Sequence, residues 1–251
     1  MAKTNFPTEE VNLPSKGYFY PKDNPLSSGK VEMKYMTARE EDILTSPNLL
    51  RKGTAVDKLL EALITDKKVK IADMMLGDKN ALLIAARILA YGKEYKYQVQ
   101  TEDGDTQEAT IDLSQLKDKE VDVSKLEKGV NDFPFTLPNS QRAITFRFLT
   151  NQDETLIDME IKKLSKISSQ LVTQMTSRFK RMITSVDGNS DRAVVNTFID
   201  TEFLSLDSLA LRKHMTQITP DVDLVTTAKF DDGSEQEVAV EITAQFFWPT
   251  S

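Results

Sequence analysis

The chain has 251 residues, with 32 Lys and Arg against 39 Asp and Glu, for a net charge of −7. Its 39% apolar content can build a packed core, nine Gly and nine Pro are too few for a disordered or collagen-like chain, and the length fits one or two domains. The acidic balance argues against nucleic acid as a partner, since neutralising phosphates needs clustered cations, and the absence of cysteine removes disulfides, thiolate nucleophiles, zinc ribbons and iron–sulfur ligation.

The first seven residues lack the apolar stretch of a signal peptide, and the longest nearly apolar run, 81–86, is far short of the roughly 20 residues that span a bilayer. No membrane insertion is expected, and the chain should stay in the cytoplasm where it is made. In Leu13-Pro14-Ser15-Lys16-Gly17-Tyr18-Phe19-Tyr20-Pro21 two prolines and a glycine forbid a continuous helix, which predicts an ordered, extended arm. Val31, Met33 and Tyr35 then alternate with charged residues as in a half-buried strand. Thr37-Ala38-Arg39-Glu40 matches a capping box, so a helix should run from Ala38 toward Ser46, where Pro47 stops it.

A second helix follows Gly53-Thr54, with Val56, Leu59, Leu60, Leu63 and Ile64 on one face. A third follows Gly77-Asp78 and is apolar nearly all round up to Gly92, which predicts the most buried element of the first half. Tyr95, Tyr97 and Val99 before Asp103-Gly104, and Ala109, Ile111 and Leu113 after it, read as a hairpin. The polar connection 114–136 holds little core material, and the chain divides there into halves 1–128 and 129–251.

The second half repeats the order of the first. Leu137-Pro138 echoes Leu13-Pro14, and Ile144, Phe146 and Phe148 alternate like the first strand. Thr150-Asn151-Gln152-Asp153 resembles a second capping box, with Asp in place of Glu, Thr150 standing 113 positions after Thr37. Asp207, Ala210 and Leu211 fall 129 positions after Asp78, Ala81 and Leu82, and Asp232-Gly233 falls 129 after Asp103-Gly104. The extra residues lie where apolar positions from Ile157 to Val186 recur at threes and fours, predicting one long amphipathic helix over 151–186. That helix either packs on its own domain or, with the adaptable Met175 and Met182, offers a partner surface. The expected fold class is α+β, in two related halves, each with an arm, short strands, several helices and a hairpin.

Little in the sequence points to catalysis. His214 is the only histidine and sits near a helix end, where imidazoles commonly cap. No Walker A or G-x-G-x-x-G pattern can be written. Glu40-Glu41-Asp42 could pair carboxylates as in a glycosidase, but Glu40 is needed by the capping box. The acids around Gly104 and Gly233 lack the ligand run of a calcium loop. No catalytic residue, metal or cofactor is therefore expected. The chain end is unusual: Phe246, Phe247 and Trp248 are either core residues or anchors for another protein.

The blocks Leu13-Pro14-Ser15-Lys16-Gly17 with Tyr20-Pro21, Met36-Thr37-Ala38-Arg39-Glu40-Glu41-Asp42-Ile43-Leu44, Gly77-Asp78-Lys79-Asn80-Ala81-Leu82-Leu83 with Ala86-Arg87 and Tyr91-Gly92, and Phe246-Phe247-Trp248-Pro249 resemble the baseplate hub assembly proteins of T4-like contractile-tailed bacteriophages. The resemblance covers most of the first 100 residues and the terminus, and is weak between them. It implies a non-enzymatic role in building the baseplate hub in the host cytoplasm, as a chaperone that leaves or a component that remains in the virion tail. The partners it implies are other hub or tail proteins, with self-association left open. Where relatives carry Cys pairs at the hairpins, this chain has Thr101-Glu102-Asp103-Gly104 and Lys229-Phe230-Asp231-Asp232, so metal binding does not carry over. The partner-binding residues picked out are Arg39, Glu40, Glu41, Asp42, Asp78, Asn80, Arg87, Phe246, Phe247 and Trp248; the plainer reading is that Asp78 and Asn80 cap a helix and Arg87 pairs with an acid.

Overall fold

Strand formation starts earlier than alternation alone indicates. In the computed structural model, which describes residues 7–100, 106–123, 126–167, 174–230, 233–242 and 244–247, β1 (Thr8–Asn12) pairs antiparallel with β2 (Lys30–Lys34). The segment between them is not an extended arm. It turns back on itself, with Leu13, Ser15, Phe19 and Tyr20 buried and Lys16 and Gly17 at φ 50° and 71°. A Cβ on Gly17 would stand 2.5 Å from the Ser27 carbonyl oxygen, so the turn requires glycine.

Helix α1 (Ala38–Thr45) starts at the capping box as expected. Pro47 both ends it and opens a short α2 (Pro47–Lys52), because its missing N–H costs nothing in a first turn. α3 (Ala55–Leu63) and α4 (Leu76–Tyr91) follow, then the antiparallel hairpin β3 (Glu94–Gln100) and β4 (Thr106–Asp112), whose Asp103-Gly104 turn lies outside the described residues.

In the second half β5 (Phe133–Thr136), β6 (Ala143–Phe146) and β7 (Ile183–Val186) form an antiparallel sheet. The single helix expected over 151–186 is instead α5 (Asn151–Ile167) and α6 (Gln174–Met182), and its last four residues are β7. Arg178 on α6 donates to both carboxylate oxygens of Glu154 on α5 at 2.5 and 2.7 Å. Along one helix these residues, 24 apart, would be separated by about 36 Å at 1.5 Å per residue, so α5 and α6 pack back to back. Then come α7 (Arg192–Thr201), α8 (Ser205–Ile218) and the hairpin β8 (Val225–Phe230) and β9 (Glu235–Ala239).

The two hairpins join into one four-stranded sheet, ordered β3-β4-β8-β9, through Ala109 opposite Phe230 and Thr110 opposite Lys229. The second strand of the first hairpin meets the first strand of the second. A twofold relation would pair like strands, so the hairpins are arranged head to tail. The buried apolar residues, from Leu13 to Phe247, form one cluster that draws on both halves. No helix among the described residues is long and apolar enough to cross a membrane.

Candidate functional site

A buried carboxylate without a partner is expensive, so the two with no exposed surface, Asp78 and Asp207, reveal what they hold. Asp78, in the first turn of α4, accepts the Ser15 N–H (2.9 Å), the Ser15 hydroxyl (2.6 Å) and the Tyr20 hydroxyl (2.6 Å), and the Tyr20 oxygen in turn accepts the Met75 N–H. Burial pushes the Asp78 carboxyl above its ordinary value against the pull of these hydrogen bonds, and burial together with the adjacent Asp78 charge raises Tyr20. Asp207, at the equivalent place in α8, accepts the Asn139 N–H and side-chain amide and the Ser140 N–H at 2.8 to 3.0 Å. Burial favours its neutral form, but those donors outweigh it and hold the carboxyl below the usual range. Each acid thus ties the Leu-Pro turn of its own half to the start of a helix.

The capping boxes are duplicated more fully than a local motif requires. Glu40 accepts the N–H and hydroxyl of Thr37 and the ammonium of Lys34 (2.8 Å). Asp153 accepts the N–H and hydroxyl of Thr150 and a bidentate fork from Arg147 at 2.7 and 2.8 Å. Lys34 and Arg147 stand at the same 113-residue offset as the boxes, a cation three places before the threonine that sequence reading passed over. In both, burial raises the carboxyl, but the cation and hydroxyl more than compensate and leave it lowered.

The structure spreads the residues picked from the sequence through the molecule and gives most of them internal partners. Arg39 and Asp42 are exposed on α1, whereas Glu40 is buried in its cap and Glu41 accepts the Tyr91 hydroxyl at 2.9 Å. Asp78 is fully buried, and Asn80 donates to Asp221 (3.1 Å). Arg87 is buried and, instead of an acid, its guanidinium serves the Phe246 carbonyl (3.0 Å) and faces the rings of Tyr91 and Tyr95. Phe246 and Phe247 have no exposed surface and Phe246 packs edge-on against Tyr95, so they close the core and are not free anchors. Trp248 lies outside the described residues. His214 stacks on Phe135 and meets Phe146 edge-on, and burial lowers its pKa.

The halves meet through further polar contacts. Met75 bridges Thr150, and the Asn151 N–H reaches the Met74 carbonyl. Lys79 pairs with Asp57 and donates to Asn151, both at 2.5 Å. Gly77 lies against Pro220: a Cβ there would stand 2.1 Å from the Pro220 carbonyl oxygen. Among the described residues no group of three His, Asp or Glu converges to hold a metal ion. Among the described residues, the exposed large apolar side chains lie chiefly in the second half, at Met159 and Met175 of the α5–α6 pair and at Leu204, Leu206 and Leu209 around the start of α8. Met175 is half exposed, as a partner surface requires, but Met182 is buried. This arrangement is suited to contact with another protein through helix faces. A family model described as T4 bacteriophage base plate protein matches residues 8–248. No curated protein and no solved structure matches.

Proposed function

The chain belongs to the T4 bacteriophage base plate protein family, and on that premise we propose that it is a non-enzymatic hub assembly factor, binding hub subunits while the baseplate is built in the host cytoplasm. The observation that carries this reading is the combination of the family match over 8–248 with large apolar side chains left on the second-half helices. A protein that holds partners needs such surface, whereas most of the polar groups singled out in the first half, Asp78 and Arg87 among them, are occupied in holding its own fold together. A second reading, a permanent hub component, is favoured by the family's description as a base plate protein.

Conditional loss of the chain in infected cells, followed by electron microscopy of baseplate intermediates, tests the proposal. Arrest before hub-bearing baseplates appear is the expected result. Normal baseplates and normal progeny in its absence would overturn both readings.

A further inference from the structure

The duplication allows one half to be compared with the other, position by position. α4 and α8 both begin one residue after an extended residue, Met75 and Leu204, with ψ of 150° and 145°. Asp78 and Asp207 then occupy matching places, 129 residues apart, with matching work. In the first half the exposed side of this helix start is where the second half sits: Met75 bridges Thr150, Gly77 lies against Pro220 and Asn80 donates to Asp221.

The counterparts of Met75, Gly77 and Asn80 are Leu204, Leu206 and Leu209. They are 49%, 62% and 39% exposed, against 5% for Met75. Single exposed leucines need no explanation, but these three form an uncovered face at positions whose first-half counterparts are an internal junction. Arg212 and Lys213 are exposed on the following turn, and the only acid of α8, Asp207, is turned inward.

We propose that the leucine face at the start of α8 docks another baseplate protein presenting an apolar surface with an acidic rim, covering this half as the second half covers the first. The proposal rests on the assembly reading above. A second copy of the chain is disfavoured by the geometry. The first half's equivalent of Pro220-Asp221 is Tyr91-Gly92, and Leu206 blocks the close backbone approach that Gly77 permits.

The test is to immobilise each purified tail and baseplate protein of the same phage singly and titrate the full chain against it. Expected is binding to one of them that Leu206→Glu weakens by about tenfold or more, Lys213→Glu weakens together with its salt dependence, and Leu50→Glu, at an exposed leucine on α2 of the first half, leaves unchanged. Glu at position 206 suits a helix first turn, and Leu206→Ser checks the loss without a new charge. Equal binding by wild type and both Leu206 variants overturns the site while leaving the assembly reading intact. Binding to none overturns both. Self-association in sedimentation that Leu206→Glu abolishes would replace the proposed partner with a second copy and so also overturn it.

Discussion

Taking away the Asp78 carboxylate would leave the Ser15 N–H, the Ser15 hydroxyl and the Tyr20 hydroxyl without their acceptor in a dry interior. Asp78→Ala should therefore lower stability by about 3 kcal/mol in urea unfolding, with Asp78→Asn, which keeps a carbonyl acceptor, costing less. Asp78 is raised in the fold, so its contribution is complete below the unfolded pKa of about 4 and is lost as pH rises through the folded value. Glu40, Asp153 and Asp207 are lowered, so theirs is present above about pH 4 and is lost as pH falls through their folded values. On acidification the wild type should first gain from Asp78 and then melt at falling temperature; Asp78→Asn should lose the first phase and Asp153→Asn should flatten the second. Thermal melts across that range check both. The caps were legible because Thr37 and Glu40 are three residues apart. What Asp78 binds was not, since Ser15 lies 63 positions away and an acid in a first turn already has a local explanation.

At the scale of elements, the α5–α6 pair shows why an apolar period can mislead. Ile157 and Ile161 on one helix and Phe179 and Met182 on the other all face the core, so the stripe reads through the reversal as if it were one helix. β7 was missed because Ile183-Thr184-Ser185-Val186 is too short to show alternation, and its pairing with β6 is a tertiary contact. Position along the stripe now has consequences that a single helix would not predict. Phe179, buried against Phe203, should cost about 3–4 kcal/mol when changed to Ala, whereas half-exposed Met175 should cost less than about 0.5. Denaturant unfolding of the two variants measures the contrast.

For the whole molecule, the order of features in the two halves, and hence the α+β class, could be read from sequence because capping boxes and alternating strands are local signals. Their head-to-tail joining could not, since Ala109 meets Phe230 and Asn80 meets Asp221 across more than a hundred residues. The terminal aromatics were open to two readings for the same reason: nothing near Phe246 in sequence announces Arg87 as its partner. With one apolar cluster drawing on both halves and a shared sheet, heating should give one calorimetric transition whose van't Hoff and calorimetric enthalpies agree; two separated transitions would show that the junction is weak.

The proposed role is that of an assembly factor that binds hub subunits and leaves the finished baseplate. Quantitative mass spectrometry of purified phage particles beside baseplate intermediates tests it most directly. A departing assembly factor is predicted to be abundant in intermediates and absent from virions; a fixed copy number in virions, or absence from both, would contradict it.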